Sequence, residues 1–194
     1  MRRLTFAMCV AVVSTLVAAG AAPQQVQFQD LPLRLTATAI NMSNVGTGQV
    51  GSVDIRIDRW SADTERESLM TTFLEKGADK LLDALHDRKS VGRISTPGSI
   101  GYDLRYARLS KFGDGGAKIV ALTDRPITGW EAIARPRVSD YPFTLIQLQL
   151  DSHGEGEGKL SVATKISYDK KDRAIELETY ASEPVRLQSV HIVR

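Results

Sequence analysis

Apolar and polar residues alternate with period two through most of this chain, the pattern of strands that bury one face. In "LRLTATAI" (33–40) Leu33, Leu35, Ala37 and Ala39 fall on one side, and in "GSVDIRIDRW" (51–60) Val53, Ile55 and Ile57 oppose Asp54, Arg56 and Asp58. The Asn- and Gly-bearing stretch 41–50 between them reads as a hairpin connection. After Trp60 the period lengthens. Leu69, Met70, Phe73 and Leu74 recur at helical spacing, Ser61 stands where a cap is needed, Asp63, Glu65 and Glu67 suit the positive N-terminal end, and Gly77 ends the helix. A second short helix follows, with Leu81, Leu82 and Leu85 inward and Arg88 and Lys89 near its end. The region near 62–88 is therefore expected to be a helical hairpin inserted between strands and laid against them.

Strand signals then return at 91–95, 102–112, 117–124, 143–151, 159–169, 174–181 and 185–193. Short glycine-rich or polar connectors separate several of them, at 113–116, 154–158 and 170–173. So many near-sequential strands predict a mainly β fold, an antiparallel meander closing into a barrel-like sheet with the helical hairpin over one end, because closure buries the apolar faces and limits open edges. A two-sheet sandwich is the alternative. No repeat, low-complexity tract or linker divides residues 22–194, which read as a single domain.

The N-terminus has a different pattern. Met1-Arg2-Arg3 precedes an apolar run from Leu4 to Ala19 and the small residues Ala19-Gly20-Ala21, which reads as a signal peptide over 1–21, cleaved after Ala21. Cleavage after Ala22 would place Pro23 directly beyond the scissile bond. A twin-arginine signal and a lipid-anchored Cys9 are weaker readings of the same residues. The whole chain carries a formal charge of +2. Losing Arg2 and Arg3 leaves as many acidic as basic residues, so the mature domain lacks the electrostatic footprint of a nucleic-acid binder. Cys9 is the single cysteine, and its loss leaves no disulfide, thiolate nucleophile or Cys-ligated metal. Stability must come from the core.

The long stretch 124–142 joins two strands and is the first candidate site. Arg125, Arg135 and Arg137 offer planar forks for an anion, and Trp130 and Tyr141 offer flat apolar faces; one helical turn is expected near Trp130 to Ala134. The same stretch can also be read as a braced loop, with Asp124, Glu131 and Asp140 answering the arginines and Pro126, Pro136 and Pro142 stiffening it. In "STPGSIGYDLRYARL" (95–109), strict alternation puts Tyr102, Leu104, Tyr106 and Arg108 on one face and Asp103 and Arg105 on the other. That face would either line a cavity or sit in the core with its hydroxyls at the rim. "DSHGEGEGK" (151–159) lacks the acidic spacing of a calcium loop and reads as a glycine-rich hairpin turn. His86, His153 and His191 stand beside no evident nucleophile, and no hydrolase, zinc, phosphate-loop or dinucleotide motif is present. No catalytic residue, metal ligand or cofactor is assigned.

The combination "TPGSIGYDLRYAR", "TDRPI", "YPFTLIQLQLD", "GEGKLSVATKI" and "IELETYASEPVRL" resembles an uncharacterised group of small exported bacterial proteins with no assigned activity, over about Ile55 to Arg194. The resemblance implies a periplasmic or extracellular location and carries over no functional residue. The function expected is a non-enzymatic binding module for a small apolar or anionic ligand. The alternatives are a cell-envelope protein that binds or assembles with another protein, and a hydrolase. Neither a nucleic-acid partner nor an integral membrane segment in the mature chain is expected. N-terminal sequencing of the exported protein should begin at Ala22; a chain still starting at Met1 would refute the signal reading.

Overall fold

A computed structural model describes residues 26–40, 50–125, 127, 143–162, 165–169, 174–178 and 185–193. In chain order they form β1 (Leu33–Ile40), β2 (Val50–Ile57), α1 (Asp63–Lys76), α2 (Ala78–His86), β3 (Gly92–Ser95), β4 (Tyr102–Lys111), β5 (Ala117–Thr123), β6 (Thr144–Leu150), β7 (Glu155–Val162), β8 (Lys165–Asp169), β9 (Ala174–Glu178) and β10 (Val185–Ile192). β1 to β7 and β10 make a closed antiparallel barrel in the order β1-β10-β7-β6-β5-β4-β3-β2, and β8 and β9 pair only with each other. The expected barrel is what forms. The sandwich is excluded, because β1 is hydrogen-bonded to β2 on one side and to β10 on the other.

Inward positions hold the apolar residues of the alternating pattern. Leu35, Ile55, Ile57, Ile119, Ile146, Leu148 and Leu187 are among the most completely buried side chains. Eight strands enclose an interior that side chains can fill, and here they do. Outward positions carry Arg34, Asp54, Arg56, Lys118, Gln149, Lys159 and Arg186, all exposed. This polarity is the reverse of the outward apolar band of membrane-spanning barrels. No helix of the described residues is long and apolar enough to cross a membrane.

Antiparallel order sets two ends. At the upper end lie Ile40, Val50, the 95–102 connection, Thr123, Thr144, Val162 and Val185; at the lower end lie 57–92, the turns at 112–116 and 151–154, and the start of β1. Phe28 fills the core from the lower end, on a segment tied to the β6–β7 turn by the Val26 N–H to Ser152 carbonyl bond of 3.1 Å. The two helices leave the lower end and, instead of covering one end as expected, lie on the outer wall, where the outward-turned Tyr106 gives them an apolar seat. Leu69, Leu81 and Leu85 form a second apolar cluster there with Tyr106 of β4 and Phe143.

Three local expectations are corrected. The turn at 151–159 ends earlier than the glycines imply: β7 begins at Glu155, so Gly156 and Gly158 are strand residues paired with Leu150 and Leu148. A Cβ on Gly156 would collide with the Gln149 carbonyl, which is why residues that usually mark loops serve here in a wall. The single strand expected over 159–169 is two strands, β7 and β8, because β7 stays in the barrel while β8 leaves it. Ser61 does not cap α1. Ala62 occupies the cap position, its N–H donating to Glu65 Oε2 at 2.8 Å, while Ser61 bonds Ala107 of β4 through its own N–H (2.8 Å) and through its hydroxyl (3.1 Å).

β10 carries a register shift between Leu187 and Val190, and Ser189 there takes φ +50°. A non-glycine residue in the left-handed region costs roughly 1–2 kcal/mol. Ser189→Gly should therefore raise stability by about 1 kcal/mol, whereas Gly156→Ala, which must push backbone apart, should lower it by about 1–3 kcal/mol. Urea unfolding of the two variants checks this, and a destabilised Ser189→Gly would show that the bulge is held by something other than its backbone angles.

Candidate functional site

Along the β1–β2 pair the inward residues shrink toward the upper end: Leu33 opposite Ile57, Leu35 opposite Ile55, Ala37 opposite Val53 and Ala39 opposite Gly51. On this side of the barrel the small residues leave space above the large ones. A cavity of about 140 Å³ lies in that space. Ala39, Val53, Ile94, Leu160 and Val185 form its walls, Tyr102 and Ile127 also border it, and Ser95, Thr96 and Ser99 contribute hydroxyls. Beside them the 96–101 turn presents Ile100 to solvent at 86% exposure. Ser99 donates to the Thr96 carbonyl at 2.9 Å and accepts the Thr96 N–H at 3.1 Å, which makes this rim a closed turn. Gly101, at φ +79° and packed against Ile94 and Ser95, completes it.

Two buried threonines set the opposite rim. Thr123, the last residue of β5, donates its hydroxyl to the Arg125 carbonyl at 2.6 Å and accepts the Thr144 N–H at 2.9 Å. The Thr144 hydroxyl oxygen accepts the Ile127 N–H at 3.2 Å. The chain leaving β5 is thus folded back over the barrel, and Ile127 enters the core. Neither threonine has any exposed surface, so these bonds replace water contacts that burial removed.

No family model, curated protein or solved structure matches the chain. What the site can do must then follow from its lining, which is apolar within and hydroxylic at the edge. It suits van der Waals contact with hydrocarbon and hydrogen bonding to a polar tip. Among the described residues no three His, Cys, Asp or Glu side chains converge as a metal set. In the 151–154 turn Asp151 accepts the N–H groups of His153 and Glu155 at 2.8 and 3.0 Å; these bonds, that from Glu155 foremost, hold its carboxyl below the ordinary value.

The residues singled out from sequence are divided by the structure. Trp130, Arg135, Arg137 and Tyr141 lie outside the described residues, as does the helical turn expected near 130–134. Tyr102 does border the cavity. Tyr106 and Arg108 do not, because the β4–β5 register shifts between Leu104 and Tyr106. That bulge reverses the alternation, so Ala107 faces the core and Tyr106 faces the helices. Burial pushes the Tyr106 phenol above its usual value, an effect that neighbouring Arg108 offsets only in part. Arg108 instead donates to Asp63 at the start of α1, at 2.8 Å. Arg125 is exposed outside the barrel, with its Nε 3.4 Å from Asp124. Sequence reading missed the small wall residues Ala39, Val53 and Val185, yet the fall in size along "LRLTATAI" was a usable signal.

Asp124, matched to the arginines of its own loop by sequence, is chiefly paired elsewhere. Its side chain is fully covered, and Oδ2 accepts from Arg105 Nε at 2.9 Å and lies 3.1 Å from His86 Nδ1 at the end of α2. Arg105 also donates to the Arg88 carbonyl at 2.8 Å. Burial alone would raise the Asp124 carboxyl, but Arg105, helped by Arg125, more than offsets it and holds the group below its ordinary range. At the other end of the hairpin, Arg59 forks onto both oxygens of Glu65 at 2.9 and 3.1 Å. This pairing, with the Ala62 N–H and the Arg88 charge, lowers Glu65 from 4.5 to about 2.

Both carboxylates are therefore depressed in the folded chain, and the stability they contribute is present above the ordinary carboxylate range and lost on acidification. For Glu65 the loss spans about pH 4.5 down to about 2. Acid titration followed by circular dichroism should show wild type losing stability across that window and Glu65→Gln losing less. Asp124→Asn should cost about 3 kcal/mol in denaturant unfolding at pH 7, since it leaves the mostly buried Arg105 with only the more distant Asp103 carboxylate, at 3.8 Å. A cost below about 1 kcal/mol, the surface-pair range, would refute the role assigned to Asp124.

Proposed function

We propose that this chain is an exported, non-enzymatic binding module that takes a small apolar group into the upper mouth of its barrel. The observation that carries the reading is the cavity itself, walled by Ala39, Val53, Ile94, Leu160 and Val185 at the upper end of the core. A dry engineered cavity of about 150 Å³ lined by aliphatic residues takes up benzene. A space of about 140 Å³ accordingly suits one ring or the end of a short hydrocarbon chain. The hydroxyls of Ser95, Thr96 and Ser99 would meet the polar portion of such a ligand. The signal-like N-terminus and the resemblance to small exported proteins support a periplasmic or extracellular setting.

Native mass spectrometry of the chain isolated gently from its compartment should show a reproducible excess over the denatured mass, extractable into organic solvent. Ala39→Phe, which fills the cavity from β1, should remove the excess, while Val185→Ala, which enlarges it, should retain it. A bare mass for wild type, together with no benzene-induced rise in melting temperature, would sink the proposal.

A further inference from the structure

A second, polar groove lies on the outer wall where β5, β6, β7 and β10 run side by side. It is independent of the mouth. Register places Gln147 opposite Lys159 and Lys159 opposite Arg186, in one row across three strands. In the next row Lys118 stands opposite Gln149, and Gln149 opposite Glu157. Gln188 borders the same groove. Side-chain positions at Leu148, Gly158 and Leu187 face the core beneath it, and the Ser189 bulge of β10 adjoins it.

The charges here are arranged unlike those elsewhere on the barrel. Arg34, Arg56 and Arg93 also form a row of like charge across β1, β2 and β3. In that row two of the three arginines carry counter-charges, Asp58 on Arg56 at 2.7 Å and Asp103 on Arg93 at 3.0 Å. Lys118, Lys159 and Arg186 have no hydrogen-bond or ion-pair partner among the described residues. Like charges directly opposite on neighbouring strands destabilise a sheet, so the Lys159–Arg186 pair does nothing for the fold. Its chemistry points outward, to an anion.

The glutamines narrow the class. Lys and Arg only donate hydrogen bonds and an anionic oxygen only accepts them, whereas a carboxamide does both. Three glutamines and the single acid Glu157 among three cations match a ligand that carries hydroxyls as well as acid groups. A closed barrel offers no free sheet edge here for a peptide to join as a further strand. A single-stranded nucleic acid would call for aromatic platforms on which bases stack, and none of the described residues lining the groove is aromatic. From these observations we infer that the β5-β6-β7-β10 wall binds an acidic oligosaccharide, with Lys159 and Arg186 on its carboxylates and the glutamines on its hydroxyls.

Isothermal titration of the purified chain with oligogalacturonate tests this, with neutral dextran oligomers, oligoglutamate and a single-stranded oligonucleotide as comparison probes. Oligogalacturonate should bind, and the affinity should fall at least tenfold in Lys159→Gln/Arg186→Gln and several-fold in Gln147→Ala/Gln188→Ala. Lys159→Gln alone should leave the melting temperature unchanged or higher, because it removes an uncompensated repulsion. Equal binding of oligoglutamate or the oligonucleotide would show that charge alone is read. That result would overturn the proposal, as would absence of oligogalacturonate binding or a marked loss of stability in Lys159→Gln.

Discussion

Every strand of the barrel depends on the hydrogen-bonded seam between β1 and β10, the first and last strands in the chain. Without that seam the meander would be an open sheet with two exposed edges, and its inward face would need a second layer to cover it. With it, one row of residues per strand faces a shared interior, and the core fills without help from the helices. Among the described strands the seam joins the pair farthest apart in sequence, so its closure carries the largest loop-closure entropy. The β8–β9 pair inserts between β7 and β10 without interrupting closure, because β7 and β10 pair directly with each other.

The inner space and the outer wall follow from that closure in different ways. Inside, the gradient from Leu33 and Ile57 to Ala39 and Gly51 concentrates unfilled volume at one end, while Thr123 and Thr144 hold Ile127 as part of its border. Outside, the wall of β4 and the start of β6 is covered by the α1–α2 hairpin through Tyr106 and Phe143. Asp124 and Arg105 at one end of that hairpin, and Glu65 and Arg59 at the other, tie it down. The adjoining wall, from β5 through β6 and β7 to β10, is exposed and carries Lys118, Lys159 and Arg186 against the single acid Glu157.

One barrel thus separates three chemistries around its circumference and axis: hydrocarbon at the mouth, satisfied ion pairs beneath the helices, and unsatisfied positive charge on the bare wall. The division follows from residue size on the inward positions and charge order on the outward ones. Neither requires long loops.

Much of the fold was legible in the alternation itself. A period of two with one apolar face determines which residues point inward along Leu33–Ile40 or Val50–Ile57, and the switch to helical spacing after Trp60 determines where the hairpin lies, because each is set by local backbone geometry. Tertiary structure alone decided the rest. The bulge at Leu104 to Tyr106 turned Tyr106 and Arg108 away from the mouth, a reversal invisible to any rule of strict alternation. Likewise the glycines at 156 and 158 became wall rather than turn, since the approach of β7 to β6 leaves no room for a Cβ. Asp124 found its main partner in Arg105, far from the arginines beside it in sequence. Local order settles the face a residue occupies, but which residues meet across the barrel is settled by register, and register belongs to the closed sheet as a whole.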